Sequence, residues 1–241
     1  MNGTLYIVPT PVGNLADMTP RAVDILKSVA LILAEDTRTS AVVMRHYDIS
    51  TPMASHHKYN EHDSLQPIVD RLLAGDDIAL VSDAGTPGIS DPGFMLSREC
   101  RRNGVKVVTL PGATAFVPAL VSSGLPCDRF VFEGFLPPKK GRATRLDILA
   151  SDERTFVLYE SPLRLAKTLV ELADKCGEER PAAIAREISK LHEQTHCGTL
   201  GELRDYFAVN QARGEIVIIV SGKERERSRE HRNKYRETDN N

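Results

Sequence analysis

Short apolar, β-branched runs alternate with amphipathic stretches along almost the whole chain, and this alternation constrains the fold more than any other feature. The runs predict strands at residues 4–8, 30–34, 78–82, 105–110, 130–133, 155–160, 182–186 and 215–221. Strands that alternate with helices pack as a mainly parallel sheet with helices on its faces. The sequence therefore predicts an α/β fold.

Signals for helix ends agree with this pattern. Thr19 followed by Pro20 predicts a helix start, because threonine caps the first turn and proline suits the first helical position. Gly75 stands where a helix C-terminus needs a left-handed residue. The sequence TLGE at residues 199–202 has the spacing of a capping box and predicts a helix over residues 200–207.

A further helix, predicted over residues 116–124 and bounded by proline and glycine, divides the strands into two sets. We interpret it as the connection between two domains, residues 1–118 and 119–222. Residues 223–241 are almost wholly polar and charged. Because they cannot bury enough apolar surface to pack, we predict a frayed helix or a disordered tail.

Composition and charge narrow the functional classes. The chain has 241 residues and a formal charge of −2, so any RNA contact needs a local basic surface rather than the field of the whole molecule. No run approaches the roughly 18 apolar residues of a membrane-spanning helix. The N-terminus lacks the basic and apolar regions of a signal peptide. We expect a cytoplasmic protein.

The cysteines and histidines show no metal-ligand pattern. Cys100, Cys127, Cys176 and Cys197 stand far apart, without the close pairs of a zinc site or a redox dithiol, and we interpret all four as buried thiols. The histidine pair at residues 56–57 has no third ligand at suitable spacing. We interpret both histidines as surface imidazoles and predict no metal.

The first predicted strand ends in VPTPVGNLADMTPRA, where Pro11 and Gly13 turn the chain sharply before a helix. Ligands of open α/β sheets bind outside the carboxyl ends of the strands, so this loop is a candidate binding edge. It has no G-x-G-x-x-G pattern and is therefore not a dinucleotide fingerprint. An ordinary rigid turn explains the motif equally well.

The strongest single feature is VSDAGTPGISDPG, residues 81–93, which follows another predicted strand. Such a loop adds few apolar side chains to a core, while its many backbone N–H and C=O groups need partners. A bound polar ligand supplies these partners; the alternative is a long irregular surface turn. S-adenosylmethionine suits the composition of the loop, although the residues alone do not distinguish it from other polar nucleosides.

Seven motifs taken together carry a resemblance to a known family. They are LYIVPTPVGNLADMTPRA, AEDTRTS, VSDAGTPGISDPG, LPGATA, FEGFLP, YESPLR and AREISKLHE. The sequence resembles the tetrapyrrole-methylase superfamily, and within it the branch of 2′-O-ribose methyltransferases that act on the decoding-centre cytidine of 16S small-subunit ribosomal RNA. The resemblance implies a mainly parallel N-terminal sheet and a mixed C-terminal sheet, with helices on both faces. Members of this branch often carry a further helical segment where this chain has its charged tail.

The resemblance also implies a cofactor, an assembly and a set of contacts. S-adenosylmethionine is expected in the cleft between the two domains of each subunit of a homodimer. The cofactor contacts, carried over by position, fall on Pro11, Gly13, Asp83, Gly85, Thr86, Pro87, Ile89, Asp91, Thr114, Ala115, Ser161 and Ala185. For Asp83 and Asp91, capping of the loop is an equal alternative.

Basic groups near the predicted domain junction are candidates for RNA contact. The sequence PPKKGRATR at residues 137–145 predicts a loop that grips phosphates; the alternative is the start of a solvated helix. AEDTRTS places Glu35, Asp36 and Arg38 after the second strand, beside the cleft; the alternative is a helix capped by Asp36. The predicted RNA contacts are Arg38, Lys139, Lys140, Arg142, Arg145, Arg164 and Arg186.

The implied reaction is an in-line displacement in which a ribose 2′-oxygen attacks the methyl group of the sulfonium. Orientation contributes most to such a step, and a general base adds about 10²- to 10⁴-fold. We nominate Glu160, Glu187 and Lys190 as catalytic residues.

Other functions are compatible with the sequence. One alternative is an enzyme of the same fold that methylates a porphyrin-like macrocycle or a modified protein side chain. A macrocycle needs a wide apolar trough, which the lack of tryptophan and an aromatic content of 5% do not suit. A second alternative is a non-catalytic ribosome-assembly factor that has the same fold and only binds RNA. A nicotinamide dehydrogenase, the general guess for an α/β chain, lacks its glycine fingerprint here.

Overall fold

A parallel five-stranded sheet forms the first half of the protein. A computed structural model describes residues 1–224, and its first strands are β1 (Thr4–Ile7), β2 (Leu31–Ala34), β3 (Met53–Ser55), β4 (Ile78–Val81) and β5 (Lys106–Thr109). They lie in the order β3-β2-β4-β1-β5, and every neighbouring pair is parallel. Their carboxyl ends therefore meet at one edge of the sheet, where ligands bind in open α/β folds.

Helices cover both faces of this sheet. They are α1 (Pro20–Ser28), α2 (Thr37–His46), α3 (Glu61–Leu73) and α4 (Phe94–Arg102). α1 and α2 pack on one face through Leu26 and Met44, while α3 and α4 pack on the other through Leu72 and Leu96. Because β4 is buried on both faces, its sequence IALV is apolar throughout rather than alternating.

The second half of the protein forms a mixed sheet. Its strands are β6 (Phe130–Phe135), β7 (Thr155–Glu160), β8 (Pro181–Arg186), β9 (Gln194–Thr199) and β10 (Ile216–Val220), in the order β6-β7-β10-β8-β9. β6 and β7 are parallel, and the other neighbouring pairs are antiparallel. On one face lie α6 (Arg142–Ser151), α7 (Leu165–Cys176) and α8 (Leu200–Val209), and on the other lies α5 (Phe116–Ser122). The predicted α/β class, with a parallel first sheet and a mixed second sheet, is confirmed.

The predicted signals at helix ends are also confirmed. Oγ1 of Thr19 accepts a hydrogen bond from a backbone N–H of the first turn at 3.2 Å, and Pro20 opens α1. Gly75 follows α3 with φ of +109°. The capping box of α8 is complete, since Thr199 and Glu202 each satisfy a backbone N–H of the other.

All eight predicted strands are present, with ends shifted by at most two residues, but β3 and β9 were not predicted. Both stand at the edge of their sheet. β3 is three residues long, and β9 reads QTHCGT. Edge strands pair on one side only and need no continuous apolar run, so they leave a weak pattern in the sequence.

Two predictions about burial, one for the cysteines and one for the histidines, are wrong. Cys127 is exposed because it lies in the loop before β6, and Cys197 is exposed because it lies on the edge strand β9. Cys100 is buried and Cys176 is half-buried. His56, expected at the surface, is fully buried because it follows β3 and faces α3, with Nδ1 at 2.9 Å from Oγ of Ser64.

The predicted domain boundary between residues 118 and 119 falls within α5. Ala119 and Leu120 of this helix pack on β7 and β10 of the second sheet. We therefore propose that the second domain begins between β5 and α5. Of the predicted charged tail, residues 225–241 lie outside the described part of the chain. Within residues 1–224, no helix has both the length and the apolar character needed to cross a membrane.

Candidate active site between the two sheets

A cavity of about 460 Å³ opens where the carboxyl edge of the first sheet meets the second sheet. Its first wall is formed by the loop after β4, with contributions from the loops after β1, β2 and β5. Its second wall is formed by the end of β7, the turn that follows it and the start of β10. Small-molecule sites typically occupy about 300–1,000 Å³ and often lie between domains, so the size and the place both fit a ligand.

Residues 82–93, the glycine-rich loop, form most of the first wall. Oγ1 of Thr10 donates a hydrogen bond to the carbonyl of Ser82 at 3.0 Å, and the backbone groups of Thr10 and Gly85 pair in both directions at 2.9 Å. Oγ1 of Thr86 donates to a carbonyl of the loop after β5 at 3.0 Å. Gly85 has φ of +83°, a conformation that favours glycine. These bonds fix the glycine-rich loop against the loops after β1 and β5.

Three carboxyl groups, those of Glu35, Asp83 and Asp91, line the first wall. Burial, followed by the charge of Glu35, raises the pKa of Asp91 to about 6. Burial, followed by the charge of Asp83, also raises the pKa of Glu35 above its usual value. A nearby positive charge relieves such repulsion, so this wall favours a cationic group. Among the side chains that the structure describes, no three of His, Cys, Asp or Glu are grouped as metal ligands.

Glu160 ends β7 in the second wall, and donors surround its buried carboxylate. Oε1 accepts hydrogen bonds from the backbone N–H of Ser161 and from Nε of Arg164, both at 2.7 Å. Oε2 accepts from Oγ1 of Thr168 at 2.7 Å and lies 3.8 Å from the guanidinium of Arg142. Because a buried carboxylate needs partners of this kind, the network fixes the turn that carries Ser161 to the cavity.

Glu187 and Lys190 lie beside the cavity. Oε1 of Glu187 accepts hydrogen bonds from Nζ of Lys190 and from the backbone N–H of Glu215, each at 3.0 Å. The bond from Glu215, followed by that from Lys190, lowers the pKa of Glu187. Burial acts to lower the pKa of Lys190, but its bonds and charge interactions with Glu187 and Glu215 outweigh burial and raise it. The two groups therefore form an ion pair that holds this segment against the residues before β10.

Backbone strain is concentrated at the same place. Ser90, with φ of +67°, lines the cavity, and Glu187 and Ser189, with φ of +53° and +66°, flank the lining residue Ile188. A non-glycine residue in this region of φ costs about 1–3 kcal/mol, and such residues collect at functional sites. The strain is thus present in both walls.

Most of the predicted cofactor contacts line the cavity. They are Asp83, Gly85, Thr86, Ile89, Asp91, Thr114, Ala115 and Ser161. Pro11, Pro87 and Ala185 do not line it, and the last two are buried behind the walls. Gly13 instead lets the two halves of the protein approach each other, since an added Cβ would meet Cγ of Lys190 at 2.5 Å. The binding roles of all these residues stay predictions.

The predicted RNA contacts differ in how free their charges are. Lys139 and Lys140 are exposed in the loop before α6. The side chain of Arg38 is 90% exposed but pairs with Asp36 at 2.7 Å. Asp36 caps α2, so the capping alternative describes this segment. Nε of Arg145 donates to a carboxylate oxygen of Glu133 at 2.7 Å.

Two further arginines from the second domain are partly engaged within the protein. Arg164 donates to Glu160, as described above, and Nη1 of Arg186 donates to Oε1 of Gln194 at 2.7 Å. Both side chains are half-buried. Their roles in RNA binding stay predictions.

The prediction that Arg142 contacts RNA is wrong. Its side chain is buried, with Nε donating to Glu171 and Nη2 donating to Oγ1 of Thr168, both at 2.7 Å. Nη1 donates to the carbonyl of Pro137 at 3.3 Å. Because all three nitrogens are used inside the fold, Arg142 fixes the loop that carries Lys139 and Lys140 to α7 and does not face a phosphate.

Several lining residues were not predicted from the sequence. They are Val12, Ala84, Ser90, Phe135, Tyr159, Pro162, Ile188 and residues 214–217. β10 is the last strand in the sequence but the central one in its sheet, between β7 and β8, and no local pattern reveals this order. The available signal was Gly214, whose φ is +81° and where an added Cβ would collide with the carboxylate of Glu187.

Comparison with known proteins identifies the family. The family described as tetrapyrrole (corrin/porphyrin) methylases matches residues 4–204, which is most of the chain. A methylase fold with a ligand-sized cavity between its two sheets is the class that the architecture defines, and the chain belongs to the tetrapyrrole methylase family.

Individual relatives are similar over most of their length. The chain is 51% identical to the ribosomal RNA small subunit methyltransferase I of Synechocystis sp., over 91% of this chain and 79% of the relative. It is 48% identical to the protein of the same name from Pseudomonas aeruginosa, again over 91% and 79%. A crystal structure of diphthine synthase is similar with a TM-score of 0.72 at 12% identity, over 91% of this chain and 90% of that one. This last likeness shows the fold.

Proposed function

We propose that this protein uses S-adenosylmethionine to methylate the 2′-oxygen of a cytidine ribose in 16S small-subunit ribosomal RNA. The observation that carries the proposal is the cavity between the two sheets, with its acidic first wall, in a chain of the tetrapyrrole methylase family. The relatives at 51% and 48% identity are named for methylation of small-subunit ribosomal RNA, which supports RNA as the substrate.

The residues of the cavity fit S-adenosylmethionine, which supplies an activated methyl group on a positively charged sulfur when it is bound. Glu35, Asp83 and Asp91 place negative charge in the first wall, where it complements the positive charges of this ligand. Gly85 lets the backbone of the glycine-rich loop approach the ligand closely, because it has no side chain. The aromatic ring of Tyr159 offers an apolar surface in the opposite wall.

The side chains nominated as catalytic have other tasks in the structure. Glu160 already accepts three hydrogen bonds, and the raised pKa of Lys190 keeps it protonated at neutral pH. We assign both residues, and Glu187 with them, positioning roles that hold the second wall in place. Orientation of this kind accounts for most of the acceleration in a simple displacement. Proton transfer by Glu160, Glu187 or Lys190 stays a prediction.

We further propose that the RNA approaches over the loop that carries Lys139 and Lys140, which provide the local basic surface that the net charge requires. The partner is 16S ribosomal RNA within an assembling or assembled small subunit. The protein acts in the cytoplasm as a homodimer.

Methyl transfer from labelled S-adenosylmethionine to small subunits that lack the mark tests the proposal. We expect label on a single cytidine ribose, and no transfer to subunits that already carry the methyl group. Ligand binding without transfer to any substrate indicates an assembly factor instead. Transfer only to a porphyrin-like macrocycle or to a protein side chain indicates a different substrate for the same fold. Either result contradicts the proposed function.

A further inference from the structure

Helix α4 presents an aromatic side chain and a row of arginines on one exposed face. The face carries Phe94, Arg98, Arg101 and Arg102. Arg98 lies four residues after Phe94, and Arg101 and Arg102 lie three and four residues after Arg98, which are the spacings of neighbours on one side of a helix. Phe94 is 64% exposed, and with Ser97 the four residues line a shallow groove. The opposite side of α4 packs into the first domain, so this exposed side, the α4 face, contributes nothing to the core.

The charges of the α4 face are largely unpaired. The guanidinium carbon of Arg98 lies 5.2 Å from the centre of the Phe94 ring, in cation–π geometry. Arg102 lies 3.5 Å from a carboxylate oxygen of Glu99. Among the described side chains of residues 1–224, no carboxylate forms an ion pair with Arg98 or Arg101. An exposed ring beside free guanidinium groups is the combination that binds single-stranded nucleic acid, because bases stack on the ring and phosphates meet the arginines.

The α4 face begins directly after the glycine-rich loop, whose residues line the cavity. Asp91 lines the cavity and Phe94 stands three residues further along the chain. Because the helix starts at the carboxyl edge of the sheet and rises about 1.5 Å per residue, Arg98 lies about 6 Å and Arg101 about 10 Å from Phe94 along its axis. A nucleotide chain with one ribose at the cavity can therefore pass over Phe94 and then the arginines.

We propose that the α4 face binds the single-stranded RNA next to the target nucleotide, with an unpaired base on Phe94 and phosphates on Arg98 and Arg101. This inference rests on the proposed function, since it takes RNA as the substrate. Charge favours RNA over a second copy of the chain. Two α4 faces meeting each other bring arginines together, and like charges across an interface are costly, whereas phosphates neutralise them.

Three full-length variants test the proposal: Phe94→Ala, Phe94→Tyr and the double variant Arg98→Ala/Arg101→Ala. Arg154→Ala is the matched control, because Arg154 is exposed before the amino end of β7, away from the cavity at its carboxyl end.

The measurements are KM for unmethylated small subunits at several salt concentrations and the Kd for S-adenosylmethionine. Stacking on an aromatic side chain predicts that Phe94→Ala raises this KM about 5- to 100-fold, while Phe94→Tyr stays near wild type. Loss of two phosphate contacts predicts that the double variant reduces the slope of log affinity against log salt by about 1 to 2. The Kd for S-adenosylmethionine stays within about twofold in every variant, and the control matches wild type.

The possible outcomes separate this inference from the proposed function. Wild-type methyl transfer with unchanged KM and salt dependence in the variants overturns the role of the α4 face and leaves the proposed function intact. Sedimentation that shows Phe94→Ala as a monomer beside a dimeric wild type assigns the face to a second copy, which also overturns the inference. Failure of the wild type to methylate small subunits removes the proposed function and this inference together.

Discussion

The two walls of the cavity use their carboxyl groups in opposite ways. In the second wall, Glu160 is buried among three hydrogen-bond donors at 2.7 Å, with a further arginine at 3.8 Å. In the first wall, burial and the neighbouring charge of Glu35 raise the pKa of Asp91 to about 6. In the second wall, hydrogen-bond donors and arginines of the protein balance the negative charge of Glu160. In the first wall, the surrounding residues do not balance the negative charge of the carboxyl groups.

This contrast separates structural from ligand-binding carboxylates. A buried carboxylate with all its acceptors filled stabilises the fold and has little left to offer a ligand. A carboxylate that is destabilised by its neighbours gains when a cation arrives. Glu160 and Asp91 both stand in motifs that carry the resemblance noted from the sequence. The motifs alone do not assign the two roles, whereas the surrounding groups do.

The largest effect is expected from Glu160→Ala. The substitution leaves Arg142 and Arg164 without their shared carboxylate inside the second wall, and breaking such a buried pair costs about 3–5 kcal/mol in the free energy of unfolding. Denaturant unfolding measures this cost. Asp147→Ala is the matched control, because it removes an exposed carboxylate that pairs with the exposed Lys175 and is expected to cost about 1 kcal/mol or less. If both substitutions lower the free energy of unfolding equally, the buried carboxylate of Glu160 does not have the structural role that distinguishes it from Asp91.

Asp91→Asn is expected to act on the ligand rather than on the fold. Loss of a charge-assisted contact costs about 1.5–3 kcal/mol, which corresponds to about 10- to 100-fold weaker binding of S-adenosylmethionine. Because the free carboxyl has a pKa of about 6, wild-type affinity falls as the pH drops below that value, while the variant loses this dependence. Calorimetric titration between pH 5 and pH 8 measures both effects. Identical pH profiles for variant and wild type would contradict the role of Asp91.

Glu61→Ala tests how the first wall is held. Oε1 of Glu61 accepts a hydrogen bond at 3.2 Å from the backbone N–H of Gly93, which ends the glycine-rich loop, and lies 4.0 Å from Nε2 of the buried His56. Leaving this N–H without a partner costs about 1–2 kcal/mol, so we expect about 5- to 30-fold weaker cofactor binding. Glu61→Gln keeps an acceptor oxygen and serves as the control. If Gln and Ala weaken binding equally, the hydrogen bond to Gly93 does not fix the loop.

The smallest effect concerns the stability of the ligand-free protein. The pKa of Asp91 is raised from 3.8 to about 6 on folding, so its contribution to stability is complete below pH 3.8 and is lost as the pH rises through about 6. From pH 8 to pH 5, wild type should therefore gain stability relative to Asp91→Asn, by about 1 kcal/mol once solvent screening is allowed for. Thermal unfolding of both proteins at the two pH values checks the sign. A relative gain by the variant would place the pKa shift in the wrong direction.

The sequence predicts the first wall better than the second. The glycine-rich loop follows directly from β4, so its polar residues are read from one continuous motif, and Asp83, Thr86 and Asp91 all line the cavity. The second wall is assembled from segments that are distant in the sequence. β10 enters the centre of the sheet last, and its neighbours are set by the packing of the whole domain.

Arg142 shows the same limit for a single side chain. In PPKKGRATR it is one basic residue among four, and nothing local distinguishes it from its exposed neighbours Lys139 and Lys140. The difference arises from α7, which brings Glu171 and Thr168 within hydrogen-bonding distance of its guanidinium. Pairing across more than twenty residues is a tertiary property, and a charge pattern does not reveal it.

Crystallisation of the full chain with S-adenosylhomocysteine shows whether the cavity between the two sheets holds the methyl donor. Density for this compound is expected between Asp91 in the glycine-rich loop and Ser161 after β7. A well-ordered crystal with the compound bound elsewhere, or with solvent alone between these two residues, would contradict this expectation.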